Sequence, residues 1–216
     1  MSYSIVKRFF LNTSDSYDRV VAITTFNRDK AWKKYIISLL PKIDYCLDLA
    51  CGTGILTTML REKANNIIGL DIIYSSISIA KRKGNKVIQA AAEYLPFKNN
   101  SMDAIVTSYL PKYCNVDLTI RECARVLRDG GFIIMHDFTY PSSYSIRIVW
   151  HIYFMILKCI RVKRWKIIFD ELDKLIMESR WLEEIIEEMK KNGFVDIKTK
   201  SLTFGTSAIL YARKLR

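Results

Sequence analysis

Leu47-Asp48-Leu49-Ala50-Cys51-Gly52-Thr53-Gly54 decides the fold. Ile43–Leu49 is short and apolar, as a buried strand is, and the glycines after it form a turn into Ile55, Leu56, Met59 and Leu60, which mark one face of a helix. Glycine lets a backbone approach a ligand that a Cβ would block, and free amides at a helix start attract negative charge such as a carboxylate. Asn66–Asp71 reads as the next strand and ends in a carboxylate 17 residues past Gly54. That spacing suits an acid accepting hydrogen bonds from both hydroxyls of a ribose.

Outward from this unit the rhythm repeats. Ser75–Lys83 is a helix ending at Gly84, Lys86–Ala90 a strand, Ala104–Ser108 a strand, and Leu118–Leu127 a helix. Gly130-Gly131 is expected to turn the chain into a fifth strand, Phe132–Asp137. Before the unit, Val20, Ile23, Trp32, Tyr35, Ile36 and Leu39 recur at helical spacing up to Pro41. After it, 141–180 is helical in pattern, and Leu182, Ile185, Ile186 and Met189 mark another amphipathic helix closed by Asn192-Gly193. Phe194–Lys200 and Leu202–Arg213 are the last strands, close enough to form a hairpin. The expectation is an α/β, Rossmann-like, seven-stranded, mostly parallel sheet with helices on both faces, the last strand antiparallel. Four segments follow: an N-terminal helical lid over 1–40, a nucleoside-binding core over 41–140, a helical substrate lid or membrane-facing insertion over 141–192, and a strand pair over 193–216.

Of the 216 residues, half are apolar, enough for one sizeable core, and the net charge of +12 favours an anionic partner. The five cysteines form no C-x-x-C pair and the two histidines, His136 and His151, do not cluster with them, so no metal site is expected. The N-terminus lacks a secretion signal, which predicts a reducing, intracellular setting. A dinucleotide fingerprint would need a third glycine where Thr57 stands, and would lie nearer a domain start. The acidic run D-x-[GA]-x-G-x-G instead matches methyltransferases.

Around this motif the whole chain resembles a class I methyltransferase dependent on S-adenosyl-L-methionine (SAM). It is most similar to the family that C-methylates menaquinone and ubiquinone precursors. Tyr17-Asp18, Phe26 and Trp32-Lys33 follow that family's N-terminal pattern. Ala92-Glu93-Tyr94-Leu95-Pro96-Phe97 resembles its AEALPF segment, Val126-Leu127-Arg128-Asp129-Gly130-Gly131 its VLKPGG, and Leu202-Thr203-Phe204-Gly205 its LT-x-G strand. The resemblance implies that Thr53 and the amides of Ala50, Cys51, Gly52 and Gly54, beside Asp48, hold the methionine part of SAM. It places Asp71 on the ribose, Ile72 beside the adenine, Ala91 and Ala92 at its amino edge, Ser108 under the methionine, and Tyr17 over the site. Two positions depart from the pattern. Ala91 replaces an Asp or Asn, which removes one hydrogen bond worth about 1 kcal/mol. Lys112-Tyr113, candidates for touching the acceptor, replace an Arg-Asn pair.

Methyl transfer needs the nucleophile aligned with the C–S bond in a dry pocket, and C-methylation of a phenol ring also needs a base or relay. The candidates are His136 and Asp137, at the end of the fifth strand, and Tyr109, just past the fourth. The apolar run Ile148–Leu157, followed by Lys158, Arg161, Lys163, Arg164 and Lys166, is about half the length that spans a bilayer. It suits an interfacial helix at anionic lipid, with the protein cytoplasmic or peripheral at the inner membrane face, or equally a substrate lid with a solvated basic end. The expected partner is a small lipophilic acceptor. A methyltransferase for another lipid or small phenol, an RNA methyltransferase and a non-catalytic SAM-binding subunit remain as alternatives; against RNA, Ser108-Tyr109-Leu110-Pro111 does not match [DNS]-P-P-[YFW]. Oligomeric state is not legible.

Overall fold

The computed structural model describes residues 9–10, 13–159 and 165–215. In chain order its elements are α1 (Tyr17–Thr24), α2 (Arg28–Ser38), β1 (Ile43–Leu49), α3 (Ile55–Met59), β2 (Ala64–Asp71), α4 (Tyr74–Arg82), β3 (Val87–Gln89), β4 (Met102–Ser108), α5 (Val116–Val126), β5 (Leu127–Phe138), α6 (Tyr144–Cys159), α7 (Lys166–Glu178), α8 (Trp181–Lys191), β6 (Phe194–Leu202) and β7 (Ser207–Lys214). The seven strands form one sheet in the order β3-β2-β1-β4-β5-β7-β6. β3, β2, β1, β4 and β5 are mutually parallel, while β7 runs antiparallel to both neighbours. The expected mostly parallel sheet and antiparallel last strand are therefore both present.

Side-chain alternation builds the two layers. Leu47, Leu49, Ile105, Ile133, Met135 and Leu210 pack on one face with Ile120 and Cys123 of α5 and Trp181, Ile185 and Met189 of α8. Cys46, Ala104, Val106, Ile134 and Ile209 point the other way, onto Ile36 and Ile37 of α2 and Leu56 and Leu60 around α3. Because successive residues serve opposite cores, these strands read as unbroken apolar runs. Strand order reverses at β1, between β2 and β4, and open sheets of this kind bind ligands outside the strand ends at that point.

One expectation changes. The glycine pair does not precede β5 but lies within it: between their shared pairings β4 advances from Met102 to Ala104 while β5 advances from Leu127 to Phe132. The surplus residues are pushed out as an irregularity in the ladder, with Gly130 at φ +75°. Segment 141–180 comprises α6 and α7. Trp150, Phe154 and Leu157 of α6 pack with Trp165, Ile168, Phe169 and Leu175 and with Phe9 and Tyr113, in a third apolar cluster off the sheet. Arg161, Lys163 and Arg164 of the basic run lie outside the described residues.

Candidate active site

The β1–α3 loop is left-handed three times in five residues, with Ala50 at φ +60°, Gly52 at +54° and Gly54 at +80°. The two glycines are needed for different reasons. A Cβ on Gly54 would come within 2.5 Å of Asn85 Nδ2, whereas a Cβ on Gly52 would meet no protein atom within 4 Å. Gly52 therefore keeps bare backbone toward the chamber it lines. The carboxylate of Asp71 pins this loop through Gly52, whose N–H donates to Oδ2, while Ile73 N–H, two residues on from Asp71, donates to Oδ1, each at 2.8 Å. A carboxylate has about four lone-pair sites, so both oxygens keep acceptor capacity for a pair of ribose hydroxyls.

A chamber of about 500 Å³ opens over this loop. Of the residues implied to hold SAM, Tyr17, Asp48, Ala50, Cys51, Gly52, Thr53, Asp71, Ile72, Ala91, Ala92 and Ser108 line it, and Gly54 sits just behind as the α3 cap. Asp48 is buried in β1 and accepts from Thr57 Oγ1 at 2.5 Å; burial pushes its carboxyl up to about 7. Thr53 donates its hydroxyl to Asp18, which also pairs with Lys83 at 2.8 Å. Asp18 thus ties α1 to the glycine loop. The bare loop, a carboxylate with acceptor capacity to spare for a ribose and a buried acid suited to an ammonium fit SAM as a set.

The acceptor-side candidates separate. Tyr109 lines the chamber, and its hydroxyl donates to Asp29 Oδ1 at 2.8 Å. His136 is not brought to the chamber wall. It is fully buried, its Nδ1 bonded to Ser108 Oγ and its Nε2 to Ser207 Oγ, both at 2.7 Å. Burial, with the nearby Lys33 and Lys112, holds it well below the usual histidine range, so it is a neutral, doubly bonded ring. Lys112 is likewise turned inward, its ammonium paired with Asp137 and both side chains without solvent exposure. Asp137 reaches a second cavity, but with this ammonium and the Phe138 amide already on it. Tyr113 does line the chamber.

That second cavity, of about 600 Å³, adjoins the first. Phe10, Tyr17, Val21, Tyr109 and Tyr113 line both. Beyond them its walls are chiefly apolar and aromatic, from Trp32, Phe138, Trp150, Tyr153 and Trp165 among others. Sequence reasoning missed Asp29 and gave Lys33 no role beyond its place in the N-terminal pattern; the two pair with each other near Tyr109. The signal for Asp29 was its i, i+4 spacing to Lys33, opposite charges on one helix.

Comparison with known proteins agrees with this geometry. The family described as methyltransferase domain matches residues 47–135. A ubiquinone/menaquinone biosynthesis C-methyltransferase, UbiE, of Campylobacter jejuni is 30% identical over 95% of this chain and 96% of its own. A demethylmenaquinone methyltransferase of Geobacillus stearothermophilus is 27% identical over 94% of each. Among solved structures, a SAM-dependent methyltransferase of Thermotoga maritima superposes with TM-score 0.71 at 18% identity, covering 95% of this chain and 98% of its own. Geranyl diphosphate C-methyltransferase of Streptomyces coelicolor, crystallised with S-adenosyl-L-homocysteine, gives 0.67 at 14%, covering 86% and 76%; these two speak to the fold. The fold and chamber define a class I SAM-dependent methyltransferase. More narrowly, the chain belongs to the family that includes the ubiquinone/menaquinone biosynthesis C-methyltransferases.

Two outcomes follow for cofactor binding. Asp71→Ala removes the ribose acceptor and unpins Gly52, so titration calorimetry should show SAM affinity falling about 100-fold. Asp48 carries a pKa raised above its unfolded value. Its stabilising contribution is therefore complete below about pH 4 and is lost as pH rises through about 7. A bound ammonium favours the ionised form, so SAM affinity should weaken as pH falls from 8 to 6, and Asp48→Asn should flatten that dependence.

Proposed function

We propose that this enzyme transfers the SAM methyl group to a ring carbon of a lipophilic quinol, the reduced form of a quinone precursor. The observation that carries the proposal is the second cavity. It is larger than a small polar acceptor requires, is walled by aromatic and aliphatic side chains, and meets the cofactor chamber at Tyr17, Tyr109 and Tyr113. The names of the relatives support the acceptor class.

SAM, when bound, supplies an electrophilic sulfonium methyl group. The protein's part is to hold the ribose on Asp71, lay the methionine end on 50–54, and exclude water. Water exclusion falls to α1, α6 and α7, which act as a lid: Tyr17 stacks with Trp165 at 6.0 Å between ring centroids, and Trp165 Nε1–H donates to Ser16 Oγ at 3.0 Å. Alignment within such a dry site supplies about 7–11 kcal/mol of the barrier reduction.

The lid is also the surface by which the protein meets anionic lipid. The outer face of α6 presents Ile148, Val149, Ile152, Met155 and Ile156, between 45% and 63% exposed. This stripe is continuous with the cavity rim, because Val149, Phe26 and Phe204 line the cavity and are also exposed. The surplus of basic residues complements an acidic bilayer. Lys158 and Lys166 are held by Asp173 at 2.5 Å and Asp170 at 2.8 Å. Among the described residues, no helix is long and apolar enough to cross a membrane.

Incubation with methyl-labelled SAM and a prenylated naphthalene-1,4-diol should place label on a ring carbon, read by mass spectrometry; label on oxygen, or none on this acceptor or on a ubiquinol-type precursor, contradicts the assignment. The protein should sediment with acidic liposomes at low salt, and Ile152→Asp with Ile156→Asp should abolish this while leaving methylation of a short-chain acceptor intact. Absence of sedimentation by the unaltered protein removes the lipid contact.

A further inference from the structure

The cofactor chamber is lined by a charged pair that lies beside Tyr109. Asp29 and Lys33 are both buried, one turn apart on α2, and form an ion pair. Both line the cofactor chamber, and Lys33 Nζ lies 5.1 Å from the centroid of the Tyr109 ring. A buried ion pair is weak support for a fold, since desolvation offsets most of the attraction. Here it ends on a phenol: Tyr109 donates to Asp29 Oδ1 at 2.8 Å. Tyr109 itself is fixed. Its backbone is left-handed at φ +69°, its N–H donates to the His136 carbonyl at 2.8 Å, and its ring stacks on Phe138 at 5.0 Å. It is also one of the residues that line both chambers.

We propose that Tyr109 is the catalytic residue that takes the acceptor's hydroxyl proton and passes its own to Asp29, with Lys33 as the positioning residue that pairs with the Asp29 carboxylate and holds it toward Tyr109. This rests on the acceptor's being phenolic, as argued above. The bookkeeping closes without any further reagent. The acceptor's O–H proton moves to Tyr109 Oη as the Tyr109 proton moves to Asp29. The ring carbon then forms its bond to the methyl group while the C–S bond breaks to a neutral thioether. The displaced ring C–H proton is lost to solvent, and Asp29 returns the borrowed proton through Tyr109 to the product oxygen. One proton is released per turnover. A relay of this kind removes the need for a histidine base, and His136 has no free ring nitrogen to serve as one.

The test uses the full-length protein, SAM, and prenylated naphthalene-1,4-diols whose substituents lower the phenol pKa from about 10 to about 7. Tyr109→Phe should lower kcat about 100-fold on the least acidic acceptor, with SAM affinity unchanged, and by less than about tenfold on the most acidic, which arrives already ionised. Asp29→Asn should do the same; since it strands Lys33, it is read beside Asp29→Asn with Lys33→Met, which removes the pair together. A loss of equal size across the series means a merely structural role and overturns the relay, as does wild-type kcat in Tyr109→Phe or in the paired variant. If the unaltered protein methylates none of the series, the phenolic acceptor itself is wrong and the relay falls with it.

Discussion

Everything in this molecule hangs on the two hydrogen bonds that the Asp71 carboxylate accepts from the amides of Gly52 and Ile73. The Gly52 bond fastens the end of β2 to the loop leaving β1, at the place where the strand order reverses, and the Ile73 bond holds the carboxylate from its own chain. A loop with three left-handed residues costs backbone free energy, and without an outside anchor it would relax. The carboxylate fixes it in the one shape that leaves backbone bare toward the chamber. It stays only partly saturated, so the group that builds the cradle keeps acceptor capacity toward what enters it.

The rest of the site grows from the same economy of buried charge. Asp48, Asp71, the Asp29–Lys33 pair and the Lys112–Asp137 pair are all withdrawn from water beside strand ends. Such groups stabilise a fold poorly unless every lone pair finds a donor. Lys112–Asp137 is a pair without solvent exposure, and Lys112 lines neither cavity. Asp48 and the Asp29–Tyr109 contact open onto the cofactor chamber. The difference is direction, and direction separates scaffold from chemistry here. Aromatic residues do the complementary work: Trp150, Phe154, Trp165 and Phe169 form an apolar cluster of their own off the sheet.

Much of the architecture was legible before any coordinates. Unbroken apolar runs such as Cys46–Leu49 mark strands buried on both faces, and the acidic glycine loop with Asp71 marks the cofactor side. What failed to read did so for identifiable reasons. Gly130-Gly131 looks like a turn, and only pairing with β4 shows that the strand already began at Leu127. His136 occupies a strand end where a base is expected, yet strand pairing puts Ser207 opposite one ring nitrogen and Ser108 on the other. Lys112 reads as an acceptor contact but is pulled beneath the surface by Asp137. Asp29 was invisible because Arg28-Asp29-Lys30 looks like a solvated charged face, and its burial is set by tertiary packing over α2.

The most direct measurement is a crystal structure of the protein with S-adenosyl-L-homocysteine. Both ribose hydroxyls should lie within hydrogen-bonding distance of Asp71 Oδ1 and Oδ2, the amino-acid end on the amides of 50–54, and the sulfur turned toward Tyr109. A nucleoside bound elsewhere, or one whose ribose leaves Asp71 untouched, would contradict the account at its root.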